Sequence, residues 1–163
     1  MSGIDPNQFR SYIVLPTLNM MQATVGIRHT LFADDLLVAT AAQESGLGHY
    51  LHQTGKGPAV GIYQIEPATL ADLLGWIYQR PELKSLVNKS AVSATPAVDE
   101  TIWNLRYATI IARLNYFRRP EALPSITTFE TLWHCYKTYW NTSAGAATEG
   151  SFRTALRLTD IKL

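Results

Sequence analysis

Over residues 99–119 apolar side chains run almost the whole way round a helical wheel: Ile102, Trp103, Leu105, Tyr107, Ala108, Ile110, Ile111, Ala112, Leu114 and Phe117. A helix of this kind has no face to give to water, so the rest of the chain must wrap it. Asp99 is placed to cap its start, and Pro120 and Pro124 to end it. At 163 residues the chain is long enough to do this as one domain, residues 1–163, with a single core. Residues 1–30 read as a wrapping segment, with helical spacing interrupted at Pro16.

The other periodic segments are helical too. Residues 30–45 place Ala33, Leu37, Thr40, Ala41 and Glu44 on one stripe, with Asp34 and Asp35 in the first turns and Gly46 as the stop. Pro67 and Pro81 each open a helix, the second leading into a polar linker over residues 90–96. Residues 127–139 and 150–158 supply two more. The exception is residues 47–65, where Gly48, Gly55, Gly57, Pro58 and Gly61 bound the short apolar run Val60, Ile62, Tyr63, Ile65. That pattern suggests a small β-hairpin or an irregular β excursion. The expected fold is therefore mostly α, with a β-hairpin lining a cleft.

Composition removes several classes of function. A net charge of +1 offers no broad grip on nucleic acid. The single cysteine, Cys135, rules out an internal disulfide, and His29, His49, His52 and His134 have no familiar metal-ligand spacing, so neither metal nor cofactor is expected. No run approaches the ~20 apolar residues of a membrane span. The N-terminus lacks the basic and apolar regions of a secretory signal, so synthesis in a cytoplasm is expected.

One carboxylate stands out. Glu44 is the odd member of an apolar stripe and lies at the negative end of its helix dipole, so desolvation and the dipole both disfavour its charge. A carboxyl that keeps its proton near neutrality can protonate a glycosidic oxygen. Around it, Gln43-Glu44-Ser45-Gly46 and Gly61-Ile62-Tyr63-Gln64 with Pro67 resemble the Glu-Ser and Gly-Leu-Met-Gln motifs of the soluble lytic transglycosylases, relatives of the goose-type lysozymes. Asn104-Leu105-Arg106-Tyr107-Ala108 is similar to that family's helix-opening Asn motif. Tyr139-Trp140-Asn141 with Gly145 is similar to its terminal Tyr-Asn loop. Short phage-encoded proteins with Gly-Leu-Trp-Gln-Met-Glu-Pro and Asn-Leu-x-Tyr-Ala-Thr runs are similar at 61–67 and 104–109.

The resemblance implies a lysozyme-like α+β fold and cleavage of peptidoglycan glycan strands at the bond between N-acetylmuramic acid and N-acetylglucosamine. It makes Glu44 the catalytic acid/base and assigns substrate contacts to Ser45, Gln64, Tyr63, Asn104, Tyr139 and Asn141. It also implies a phage protein carried in the virion or released at lysis, acting on the cell wall, with tail or core proteins as further partners. Tyr63 stands where the family usually has Met. Glu66 is a second carboxylate near Gln64, so hydrolysis as in a lysozyme stands beside transglycosylation. A structural virion protein keeping the fold without the activity is the reading of a different class.

Overall fold

The computed structural model describes residues 3–92, 98–142 and 145–163; the expected linker over 90–96 falls largely outside them. Nine α-helices are assigned among these residues, of which 62% are helical and 2% strand. The chain is mostly α.

Helix α1 (Pro6–Phe9) runs through a π-helical stretch, Arg10–Val14, into α2 (Leu15–Val25). Pro16 therefore does not split the segment. The π register sits just before it, with the Leu15 N–H reaching back to the Arg10 carbonyl, and such a π turn lets a continuous helix take up a proline. Phe9, Val14, Leu18 and Met21 point into the core.

Helix α3 (Leu31–Ser45) starts one residue later than its pattern suggests and stops at Gly46 as expected. Thr30 accepts the Ala33 N–H, and Gly46 turns left-handed at φ 60°. Its burial goes beyond a stripe: Phe32, Ala33 and every residue from 36 to 42 are buried. Helices α4 (Pro67–Tyr78) and α5 (Pro81–Ser90) follow, joined by a short turn and in contact with each other.

The long buried helix is broken. A short α6 (Glu100–Trp103) precedes α7 (Leu105–Phe117), and the cap of α7 is Asn104, whose Oδ1 accepts the Tyr107 N–H at 3.0 Å. Asp99 makes no side-chain cap bond. Of α7, residues 107 to 116 are all buried, and it packs against α2, α3, α4, α5 and α6. Helix α7 crosses α3 in the core, where the Tyr116 hydroxyl meets Thr40 Oγ1 at 2.8 Å. Because the Thr40 proton goes to the Leu36 carbonyl at 2.7 Å, Tyr116 is the donor.

Helix α8 (Phe129–Cys135) opens with a Thr128–Thr131 capping box and continues as a second π-helical stretch, Tyr136–Asn141. Helix α9 (Glu149–Leu156), with Thr148 and Ser151 as its capping box, packs across α3 and α8. The chain ends are pinned together. The Arg10 guanidinium pairs with Asp160 at 3.0 Å and with Asp35 of α3 at 2.9 Å, and Asp35 also accepts the Thr127 hydroxyl.

The expected hairpin is reduced to isolated bridges. Among the described residues of 47–65 there are two isolated antiparallel bridges, His52 with Val60 and Val60 with Ile65. The physical reason is burial. Ala59, Val60, Ile62, Tyr63 and Ile65 are all buried, whereas a strand of a two-stranded ribbon buries alternate residues. Gly61, at φ 78°, reverses the chain after one bridge and drops Ile62 and Tyr63 into the core.

Candidate active site

Three parts of this fold converge on one open cavity of about 570 Å³. The C-terminus of α3 brings Gln43 and Glu44. The 50–66 excursion brings Tyr50, Gln64, Ile65 and Glu66. The far wall comes from Asn115 of α7, from Tyr136, Trp140 and Asn141 of the π-helical stretch, and from residues 145–147. Among the described residues lining it, Glu44 and Glu66 carry the charge, and there is no Lys, Arg or His.

Glu44 is half-buried, and its Oε1 accepts the Tyr136 hydroxyl at 2.7 Å. Its backbone carbonyl, left without a helical partner at the end of α3, accepts the Tyr50 hydroxyl at 2.7 Å. Burial pushes the carboxyl up from its ordinary 4.5 to about 7. Hydrogen bonds from Tyr136 and the Trp140 indole oppose that rise, while the negative charge of Glu66 adds to it. Desolvation wins, and near neutrality a substantial fraction of Glu44 holds a proton.

Gln64 lies in the wall at 8% exposure with φ 46°, a left-handed backbone that non-glycine residues seldom adopt. The turn pays for this locally: Gln64 donates both its backbone N–H (3.1 Å) and its side-chain Nε2 (2.8 Å) to the Gly61 carbonyl. Its Oε1 is left without a partner, as is Oδ1 of Asn115, which is 5% exposed. A buried acceptor without a donor costs about 1–3 kcal/mol, so both oxygens would gain from a ligand that brings hydroxyls or N–H groups.

Four of the expected contact residues stand elsewhere. Ser45 is fully buried behind Glu44. Its hydroxyl donates to the Ile62 carbonyl at 2.6 Å and accepts the Gly48 N–H at 2.8 Å, stitching the end of α3 to the excursion. Ser45→Ala is therefore expected to lower stability by about 1–3 kcal/mol in denaturant unfolding, by stranding two buried backbone groups. Tyr63 is also fully buried. Its ring backs Trp140 at 6.2 Å and Phe9 at 6.3 Å, so it supports the cleft wall from behind and presents nothing to a ligand. Asn104 caps α7 and donates to the Ser90 carbonyl and Glu100, away from the cavity.

Tyr139 is turned away as well, its ring edge on His134 at 6.1 Å. The π register explains this. An α-helix would put 136, 139 and 140 on one side, whereas the wider π turn groups 136, 140 and 141 and sends 139 outward. Tyr136 is thus the aromatic partner of Glu44. Its ring is stacked on Phe152 of α9 at 5.0 Å, which fixes where the hydroxyl sits. No spacing rule reveals a π turn. Asn115 is one of several polar residues in α7, beside Arg106, Thr109 and Arg113, and nothing in its spacing marks it for the cleft.

Among the described residues, no three His, Cys, Asp or Glu side chains are placed to share a metal ion, and no helix is long and apolar enough to cross a membrane. Comparison with protein-family models, curated proteins and solved structures gives no match.

Proposed function

We propose that the protein cleaves the glycan strands of peptidoglycan between N-acetylmuramic acid and N-acetylglucosamine, as a lytic transglycosylase of lysozyme-like fold, with Glu44 as the catalytic acid and base. The observation that carries this reading is a carboxyl raised to about 7 and hydrogen-bonded to Tyr136 within an open cavity walled by amides and an indole. The motif resemblances around Glu44 and Gln64 support it. The phage-like character of those motifs supports a role in a virion or a lysis programme, acting on the cell wall.

In this chemistry protonated Glu44 gives its proton to the bridging oxygen as the bond from C1 breaks. The carboxylate then takes the proton of the sugar's own 6-hydroxyl as that oxygen closes on C1, leaving a 1,6-anhydro end. Gln64 and Asn115 are placed to accept from sugar hydroxyl or acetamido N–H groups. The Trp140 indole offers an apolar face to the ring. Glu66 lines the same cavity, so water activation by a second carboxylate has a residue to perform it.

Mass spectrometry of the products released from purified peptidoglycan tests this. Anhydro ends are expected. Reducing ends would make the protein a hydrolase with Glu66 implicated. No soluble product from folded protein would overturn the reading in favour of a structural virion role.

A further inference from the structure

The polar atoms that the fold buries without a partner are not scattered. Those that can only accept are the amide oxygens of Gln43, Gln64 and Asn115, and all three residues line the cavity of Glu44. Gln64 is 8% exposed and Asn115 5%, so these are built parts of the wall and not surface side chains. Neither glutamine can be turned round. Gln64 Nε2 is held at 2.8 Å by the Gly61 carbonyl, which has no proton to offer an oxygen. The Ser151 hydroxyl gives its proton to the Thr148 carbonyl at 2.8 Å, so its Oγ accepts from Gln43 Nε2 at 3.4 Å.

The hydroxyl donors around Glu44 are already engaged: Tyr136 serves its carboxylate and Tyr50 its backbone carbonyl. Lys137 does not line the cavity, and its three protons go to Asn141 Oδ1 and to the Gly145 and Ala147 carbonyls. Glu44 and Glu66 bring carboxylates, and the lining holds no cation among the described residues. Residues 1–2, 93–97 and 143–144, which lie outside them, have no charged side chain. The cavity therefore offers free acceptors and negative charge. An acetamido group suits it poorly, because its carbonyl needs a donor. A free amine suits it well: as an ammonium it carries three donors and the complementary charge.

We infer that the cleft takes glycan strands in which the sugar beside Glu44 carries a free 2-amino group in place of the acetamido group, selected by the amide oxygens of Gln43, Gln64 and Asn115 together with the Glu66 carboxylate. The inference rests on the cleft being the glycan site of the proposed function, and it narrows the substrate to de-N-acetylated strands. A site of this kind rejects the wrong ligand by leaving its buried acceptors unpaired. The N-acetylated sugar brings one N–H where the amine brings three.

The test is titration calorimetry of the whole chain with a glucosamine tetramer and an N-acetylglucosamine tetramer, at about pH 6, where the amine is charged. The glucosamine tetramer is expected to bind at least ~10-fold tighter, the difference between a charged and a neutral hydrogen-bond donor. Added salt should shrink that preference. Glu66→Gln and Asn115→Leu should each reduce it by about threefold or more, since each removes an acceptor. Glu66 is exposed, so its variant tests the point even if Asn115→Leu does not fold. A glucosamine tetramer that binds no better than the N-acetylated one, or a preference that Glu66→Gln leaves whole, would overturn the inference. Muropeptide release separates it from the proposed function. Amine-selective binding by a protein that cleaves no peptidoglycan, de-N-acetylated or not, keeps the inference and rejects that function. Cleavage that de-N-acetylation of the peptidoglycan fails to raise keeps the function and rejects the inference.

Discussion

Glu44→Gln is expected to lose glycan cleavage by at least ~10²-fold, the usual worth of a general acid, while gaining stability above neutral pH. The two effects share one cause. Burial raises the Glu44 carboxyl from 4.5 to about 7, so between those values the folded chain holds a proton that the unfolded chain has released. Stability must then fall as pH rises through that window. The penalty is absent below about 4.5 and complete above about 7, amounting to about 3 to 4 kcal/mol at the most. A glutamine is neutral, has the same shape, and still offers an oxygen to the Tyr136 hydroxyl. Thermal unfolding should show the variant more stable than wild type at pH 8 and indistinguishable at pH 4. Equal stability at both values would mean that the site does not oppose charge on Glu44.

The second large effect is on the scaffold. Gly61 has φ 78°, and a Cβ there would lie 2.3 Å from the Thr101 carbonyl oxygen and 2.9 Å from its carbon. Thr101 is fully buried in α6, and the obstacle is backbone, so nothing can swing aside. Gly61→Ala therefore combines left-handed strain with a clash that pushes the 61–64 turn off α6. A loss of at least ~3 kcal/mol is expected, equivalent to a melting point lower by roughly 6–12 °C. Gln64, Ile65 and Glu66 hang from this turn, so the cleft should suffer with the fold. Gly75, exposed within α4 with open space around it, is the control. Gly75→Ala should stabilise by about 0.5–1 kcal/mol, since an alanine is the better helix former.

The elements that were legible in the sequence are those whose signals are local. Thr30 and Gly46 mark the two ends of α3, and Pro67 and Pro81 mark the starts of α4 and α5, because caps and prolines act within one turn. The apolar wheel over residues 99–119 revealed a buried helix but hid its break. Asn104 ends one helix and caps the next, and a wheel averages over such a point. Of the two readings of the excursion, hairpin or irregular, local pattern could not choose, for a related reason. Breakers and β-branched residues suggested a ribbon, yet consecutive burial of Val60, Ile62 and Tyr63 is a tertiary demand that local pattern does not carry.

Within the site, Glu44 stood out because a carboxylate on an apolar stripe is chemically odd. Gln64 and Asn141 also line the cavity, while Ser45 and Tyr63 support it from behind and Asn104 caps α7 away from it. Motif resemblance does not separate the two kinds of residue. A serine that ties α3 to the excursion and a glutamine that faces the cleft are both needed to build the same pocket. Tyr136 was invisible as a partner of Glu44 because its position depends on the π register and on Phe152 behind it.

The most direct measurement is the carboxyl titration of Glu44 itself, by carbon-13 NMR in the free wild-type protein. A midpoint near 7 is expected, with the resonance lost in Glu44→Gln. A midpoint at the ordinary 4.5 would leave Glu44 ionised at neutral pH, with no proton to give, and would contradict its role as the acid.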